Sequence, residues 1–272
     1  MIFVDSHVHI YDCFDVDYLF DAALMNFQMA AKQKGTTHQA SFVLLLTEGA
    51  TEDWFHDVLK NSGRDGQGKK EISANWVGLF SEDLDSLTVF QNNCAESEMH
   101  LVGGRQVVTR EKIEVLALYC TDFITDGLPL DETVDAVQRH GGIPVLPWGV
   151  GKWMGKRGGI IQRFLSTHPE KHIFLGDNGG RPRFWPTPNL FHLANKRGVT
   201  VLPGTDPLPI PAEAARVGSY GFCLDEKTIH GDSPVNCLKN ALLSGDPSLS
   251  TFGGLLDNRL FLLNQLRLRF AS

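Results

Sequence analysis

Four short apolar runs constrain how this chain can fold: QASFVLLL at 39–46, then 143–146, 172–175 and 199–202. Each has the length of a strand, and unbroken apolar character over that length marks a strand covered on both faces. Helical patterns lie between them. Leu19, Ala23, Phe27, Ala30 and Ala31 recur at helical spacing before Gly35, residues 131–140 stop at Gly141 and Gly142, and 189–197 stop at Gly198. Glycine is well suited to end a helix, so these stops fix the boundaries. A further helix is predicted around 160–166. Buried strands alternating with helices imply a parallel sheet, and this many units favours closure. The expected fold is α/β, a distorted TIM-like barrel of seven or eight strands. No internal repeat or linker divides the sequence, so 1–272 is expected to be one domain.

The stretch 75–119 breaks the alternation. Residues 75–80, 87–91, 105–109 and 112–119 read as short strands joined by turns, the last two forming a hairpin around Arg110 and Glu111. This is either an antiparallel insertion or an irregular part of the barrel wall. The stretch NSGRDGQGKK at 61–70 is polar, glycine-rich and without periodicity, hence a loop. The tail, 258–270, alternates Leu, Phe and Arg at helical spacing and is expected to pack as a terminal helix, with a membrane-surface role as the alternative.

Composition excludes some functions. A net charge of −7 argues against a broad nucleic-acid surface, which needs a basic face. The five cysteines are scattered, odd in number and never paired as C-x-x-C, so neither a disulfide framework nor a zinc knuckle is indicated. Reduced thiols, no basic-then-apolar opening segment and no run of about 18 apolar residues lead to the expectation of a cytoplasmic protein that does not enter a membrane.

The chemistry points to FVDSHVHIYD at 3–12. In an extended strand Asp5, His7 and His9 share one face, a poor composition for a dry core. Neutral imidazoles suit a divalent metal, and a nearby carboxylate can fix the tautomer. The alternative is an edge strand whose polar face merely meets water. Functional groups of parallel barrels gather at the C-terminal ends of strands. Glu48 ends the second strand, Arg105 and Gln106 lie in the hairpin region, and Trp148, Lys152, Lys156 and Arg157 follow the strand at 143–146. Asp177, Asn178, Arg181 and Arg183 follow the next strand, and Thr205 and Asp206 the last. Asp206, between Gly204 and Pro207, either completes a site begun by His7 and His9 or is a plain turn residue. The basic residues among the glycines of WGVGKWMGKRGG suit an anion, or else they are a solvated loop face. That loop is not a nucleotide-binding loop, because Val150 and Arg157 stand where the P-loop pattern needs Gly and Ser or Thr. The other histidines, His56 among them, lack ligand-like spacing and read as surface or capping residues.

FVDSHVHIYD and VLPGTDPLP together resemble the D-x-H-x-H opening and closing Gly-Ser-Asp of metal-dependent TIM-barrel hydrolases. These are the amidohydrolase superfamily and the polymerase-and-histidinol-phosphatase (PHP) family. GRQVVTREKIEVLALY, HGGIPVLPWG and PGTDPLPIPAEAARVGSYGF are similar to later PHP segments and favour the second group. The chain departs from that family at Gly49, Gln106, Trp148 and Leu208, where it would have further ligands. The resemblance implies one divalent ion (Zn, Mn or Fe) per chain, held by His7, His9 and Asp206, with Glu48 as a further candidate ligand. It also implies hydrolysis of an anionic small-molecule ester by activated water, of phosphoesterase or amidohydrolase type. Asp206 or Asp177 would take the proton, while Arg105, Lys152, Arg181 and Arg183 would orient the substrate. The alternative is a degenerate PHP-like barrel that binds an anionic ligand or partner protein without turnover.

Overall fold

The computed structural model describes residues 1–36, 40–60, 69–92, 94–169, 171–224, 233–244 and 248–270. Residues 61–68 of the predicted loop, and Gln39 at the start of the second apolar run, lie outside the described residues.

The first half of the chain gives β1 (Ile2–Val8), α1 (Val16–Gln33), β2 (Ser41–Leu46) and α2 (Trp54–Lys60). It continues with β3 (Lys70–Glu71), β4 (Trp76–Phe80), β5 (Ser86–Gln91), β6 (Cys94–Val102), β7 (Gly104–Val108) and β8 (Glu114–Leu118). The alternating half follows as α3 (Leu130–Arg139), β9 (Ile143–Pro147), α4 (Lys156–Thr167), β10 (Phe174–Asn178), α5 (Asn189–Lys196) and β11 (Val201–Gly204). After a 3-10 turn at Pro211–Arg216 come β12 (Tyr220–Leu224), α6 (Pro234–Leu243), β13 (Leu249–Gly253) and α7 (Asn258–Phe270). The predicted hairpin is β7 and β8, and the predicted terminal helix is α7.

The strands form two mixed sheets rather than the parallel one expected. One runs β13-β12-β1-β2-β6-β5-β4-β3 and the other β11-β10-β9-β8-β7. The parallel cores are β1-β2-β6 and β9-β10-β11. Antiparallel strands flank them because two-residue to few-residue turns, not crossover helices, join β3 through β6 and β7 to β8. The sheets meet along two seams. At one, the Glu48 N–H donates to the Gly104 carbonyl at 3.1 Å and the Gln106 N–H to the Glu48 carbonyl at 2.8 Å. At the other, Ser6 Oγ donates to the Pro203 carbonyl at 2.8 Å and the Asp206 N–H to the His7 carbonyl at 2.8 Å.

Between the seams, Val4, Val43, Leu45, Leu116, Val145, Phe174 and Leu202 from both sheets belong to one buried apolar cluster. The outer face of β1 and β2 is covered by α1. Asp15 caps that helix, its carboxylate accepting from the Tyr18 N–H at 3.0 Å, and Gly35 ends it at φ 72°. Leu19, Phe20, Ala23, Phe27 and Ala31 form its buried stripe. Phe27 stacks on Phe42 of β2 with centroids 5.2 Å apart, so its loss to Ala would cost about 3–5 kcal/mol. Among the described residues no helix is long and apolar enough to cross a membrane.

Candidate metal centre

β1 does not keep a plain alternation to its end. Its pairing with β2 shifts register between Asp5 and Val8, and this shift decides where the polar side chains go. The expected shared face of Asp5, His7 and His9 is thereby split. The Asp5 carboxylate is fully buried and accepts from the Thr205 and Gly218 N–H groups at 2.8 and 2.9 Å. It also takes the Thr205 hydroxyl at 2.6 Å and the His7 N–H at 3.3 Å. Asp5 therefore fastens the end of β11 and the turn before β12 onto β1, and it orients neither imidazole. Burial raises its pKa to about 6 against these donors.

The imidazoles point elsewhere. His7 Nε2 and His9 Nε2 lie 3.2 Å apart, and Asp206 Oδ1 is 3.4 Å from the first and 3.7 Å from the second. Both rings are buried. His9 Nδ1 faces Glu52 Oε2 at 2.9 Å, so in the neutral ring Nδ1 donates and Nε2 presents a lone pair toward the other two groups. Gln106 hydrogen-bonds the His7 side chain. Asn178 Nδ2 donates to the second oxygen of Asp206. Asp206 itself sits at φ 45°, a left-handed conformation rare for residues other than glycine, held by its N–H bond to His7. Tyr11 stacks on the His9 ring at 5.2 Å and 12°.

Electrostatics follow from burial and these partners. Burial takes the His7 pKa down to about 4, with Asp206 pulling the other way and His9 and Lys152 adding to the fall. Burial would lower His9 too, but the Glu52 hydrogen bond and the charges of Asp206, Glu52 and Glu114 outweigh it and raise the ring. Burial would raise Asp206, but His7, His9, Lys152 and Arg216 hold it below the usual carboxylate range.

This donor set fits a divalent ion. An ion bound tetrahedrally at about 2.0–2.2 Å places its ligand atoms about 3.3–3.6 Å apart, which the three observed separations bracket. Two imidazole nitrogens and one carboxylate leave a further position open.

The other candidate residues are distributed differently. Glu48 joins Asp53 and His56 in a second cluster rather than the first. Arg105 fills that cluster: its Nη2 lies 2.7 Å from Asp53 Oδ1 and 2.8 Å from His56 Nδ1, and its Nη1 is 3.5 Å from Glu48 Oε2. A guanidinium already supplies the cation there, which argues against a second ion. His56 is thus a hydrogen-bond partner of Arg105 that spacing alone did not single out. Asp177 and Arg181 pair with each other at 2.9 and 2.8 Å, and Tyr220 also donates to Asp177 at 2.9 Å. Arg183 is exposed and donates to the Leu255 carbonyl at 3.2 Å. Lys152 is bonded to Glu114, and its charge acts on both His7 and Asp206. Glu52, Glu114 and Tyr11 were missed from sequence. Glu52 alone left a signal, an acid four residues beyond the Glu48 strand end.

No family model and no curated protein matches this sequence. Among solved structures, PsfC from Pseudomonas syringae PB-5123 superposes with a TM-score of 0.54 at 12% identity, covering 99% of this chain and 98% of that one. This is a likeness of fold. Two structures of Endonuclease Q, one bound to a duplex with an abasic lesion and one of the Pyrococcus furiosus enzyme, each give a TM-score of 0.48 at 11% identity. This chain spans only 56% and 57% of their lengths.

Proposed function

We propose that this chain is a metal-dependent hydrolase of PHP type, with one divalent ion per chain held by His7, His9 and Asp206, acting on an anionic small-molecule ester. The observation that carries the proposal is the convergence of two buried imidazole nitrogens and a carboxylate oxygen at 3.2, 3.4 and 3.7 Å. A divalent ion in such a site supplies Lewis-acid polarisation of an ester oxygen and a lowered pKa for water. The chain's own groups do the rest. Glu52 fixes the His9 tautomer, Gln106 steadies His7, and Asn178 orients Asp206. Asp206 stands beside both imidazoles and is the proposed proton acceptor. Asp177, the other candidate, is assigned a structural role because three hydrogen bonds already engage its oxygens. Lys152 is the proposed anchor for the substrate's negative charge, exchanging its bond to Glu114 for one to the substrate. Arg105 and Arg181 are assigned to the framework by their buried carboxylate partners.

The same reading treats β1, β2 and β7 through β11 as the wall of one distorted barrel. The two seams and the shared apolar cluster between them support it.

Elemental analysis of protein purified without a histidine tag tests the proposal, beside a His7→Ala, His9→Ala control. About one ion per chain, lost in the control, and turnover of phosphoesters, amides or lactones are expected. Failure to take up Zn, Mn or Fe would refute the hydrolase. Uptake without turnover on those substrates would favour the degenerate, ligand-binding barrel.

A further inference from the structure

A cleft of about 540 Å³ opens beside α4, between the loop that follows β9 and the segment leading into α5. Its walls carry Trp148, Trp153 and Trp185, with Met154 at the edge and Gln162 and Asn189 as its polar side chains. Among the described residues no charged side chain lines it. Trp148 meets Trp185 edge to face at 5.7 Å, and Trp153 meets Phe191 likewise at 5.6 Å, so the rings are braced. Five glycines complete the lining, and they are not alike. Gly151 and Gly155 have φ of 71° and 59°, and a Cβ on Gly158 would come within 2.2 Å of the Trp153 carbonyl, so the backbone requires glycine at these places. Gly159 is different. It lies inside α4 without a positive φ, and a Cβ there would meet nothing within 4 Å. A helix interior is weakened by glycine, and neither packing nor backbone asks for one at this position. What Gly159 does is keep the cleft open.

The same loops feed the metal centre. Lys152, next to Trp153, bonds Glu114 and acts electrostatically on His7 and Asp206. The Trp185 carbonyl accepts from Arg181, just beyond the Asn178 that holds Asp206.

We infer that this tryptophan-walled cleft, kept open by Gly159, binds an uncharged planar aromatic ring, the non-reacting part of the substrate presented to the metal centre. Its place as a substrate subsite rests on the hydrolase proposal; its affinity for an aromatic ring does not. A cleft of this volume with apolar walls and two amides suits a single-ring or fused-ring group carrying heteroatoms. With no carboxylate among the described lining residues, the cleft disfavours an organic cation.

The test is a saturation-transfer NMR titration with 2-naphthol, uncharged at neutral pH, on wild type, Gly159→Leu, Trp153→Ala and His7→Ala. Saturable binding is expected in wild type and in His7→Ala. It should weaken at least about tenfold in Gly159→Leu, whose melting temperature should not fall, and in Trp153→Ala. Absence of saturable binding, undiminished binding in folded Gly159→Leu and Trp153→Ala, or displacement by tetramethylammonium as effective as by excess naphthol would overturn the inference. The metal content of wild type, read separately, distinguishes the two failures: no ion taken up with naphthol binding intact fails the hydrolase alone, and an ion bound without naphthol binding fails the cleft alone.

Discussion

His9 and Glu52, 43 residues apart in the chain, meet at 2.9 Å, and this contact fixes which imidazole nitrogen faces His7 and Asp206. Second partners of this kind govern affinity as much as the ligands do. Glu52→Gln should leave the fold and weaken ion binding by about 10- to 100-fold. Calorimetric titration with zinc checks it, and unchanged affinity would remove Glu52 from the centre.

Asp206 combines a proposed ligand role with a φ of 45°, so its substitutions separate charge from backbone. Asp206→Gly and Asp206→Ala should lose the ion equally. The glycine variant should be the more stable by about 1 kcal/mol, because alanine pays the left-handed penalty. Equal urea midpoints would show that the conformation relaxes once the carboxylate is gone.

Asp5 accepts four hydrogen bonds, three of them from backbone N–H groups, and an amide nitrogen in place of one carboxylate oxygen could pair only with the Thr205 hydroxyl. Asp5→Asn should therefore destabilise the fold by about 1–3 kcal/mol, measured by urea unfolding. A neutral result would mean that the seam does not depend on this carboxylate.

Glu48 offers a pH test. Burial lifts its pKa to about 7, against the Phe55 N–H and the Arg105 guanidinium. An acid whose folded pKa exceeds its unfolded one binds more protons when folded, so its contribution to stability falls as pH rises between those values. The melting temperature of Glu48→Gln should thus gain on wild type from about pH 4.5 to 7 and then hold a constant lead. A gap that does not change with pH would place the Glu48 pKa in the ordinary range.

The alternating half of the molecule was legible because local pattern and final structure agree there. The predicted helix at 131–140 is α3, and the 143–146 run is β9. The strands β6, β12 and β13 were not read: β6 is placed between its neighbour β5 and the distant β2, and β12 takes its place against β1 across more than two hundred residues, pairings that no local pattern announces. The same limit shaped the site. His7, His9 and Asp206 were visible as types at strand ends, whereas the register shift that turns Asp5 away from them is a property of two paired strands. Arg105 and Arg181 looked like free anion binders because a sequence does not show that Asp53 and Asp177 already hold them. Glu52 lay outside the pattern because helical entry, not strand alternation, delivers it to His9.

The seam between β1 and β11 allows no slack. A Cβ on Gly204 would come within 2.5 Å of the His7 nitrogen, and the Asp206 N–H is bonded to the His7 carbonyl. Two of the three candidate ligands, His7 and His9, stand on one side of this join and Asp206 on the other. The span across which an ion must fit is therefore set by the main chain, as the jaws of a gauge are set by its frame. Calcium would meet no obstacle in that span, since cis donors at its bond lengths of about 2.3–2.6 Å also lie about 3.3–3.7 Å apart; the two imidazole nitrogens disfavour an ion that takes oxygen ligands, so donor chemistry selects before size does.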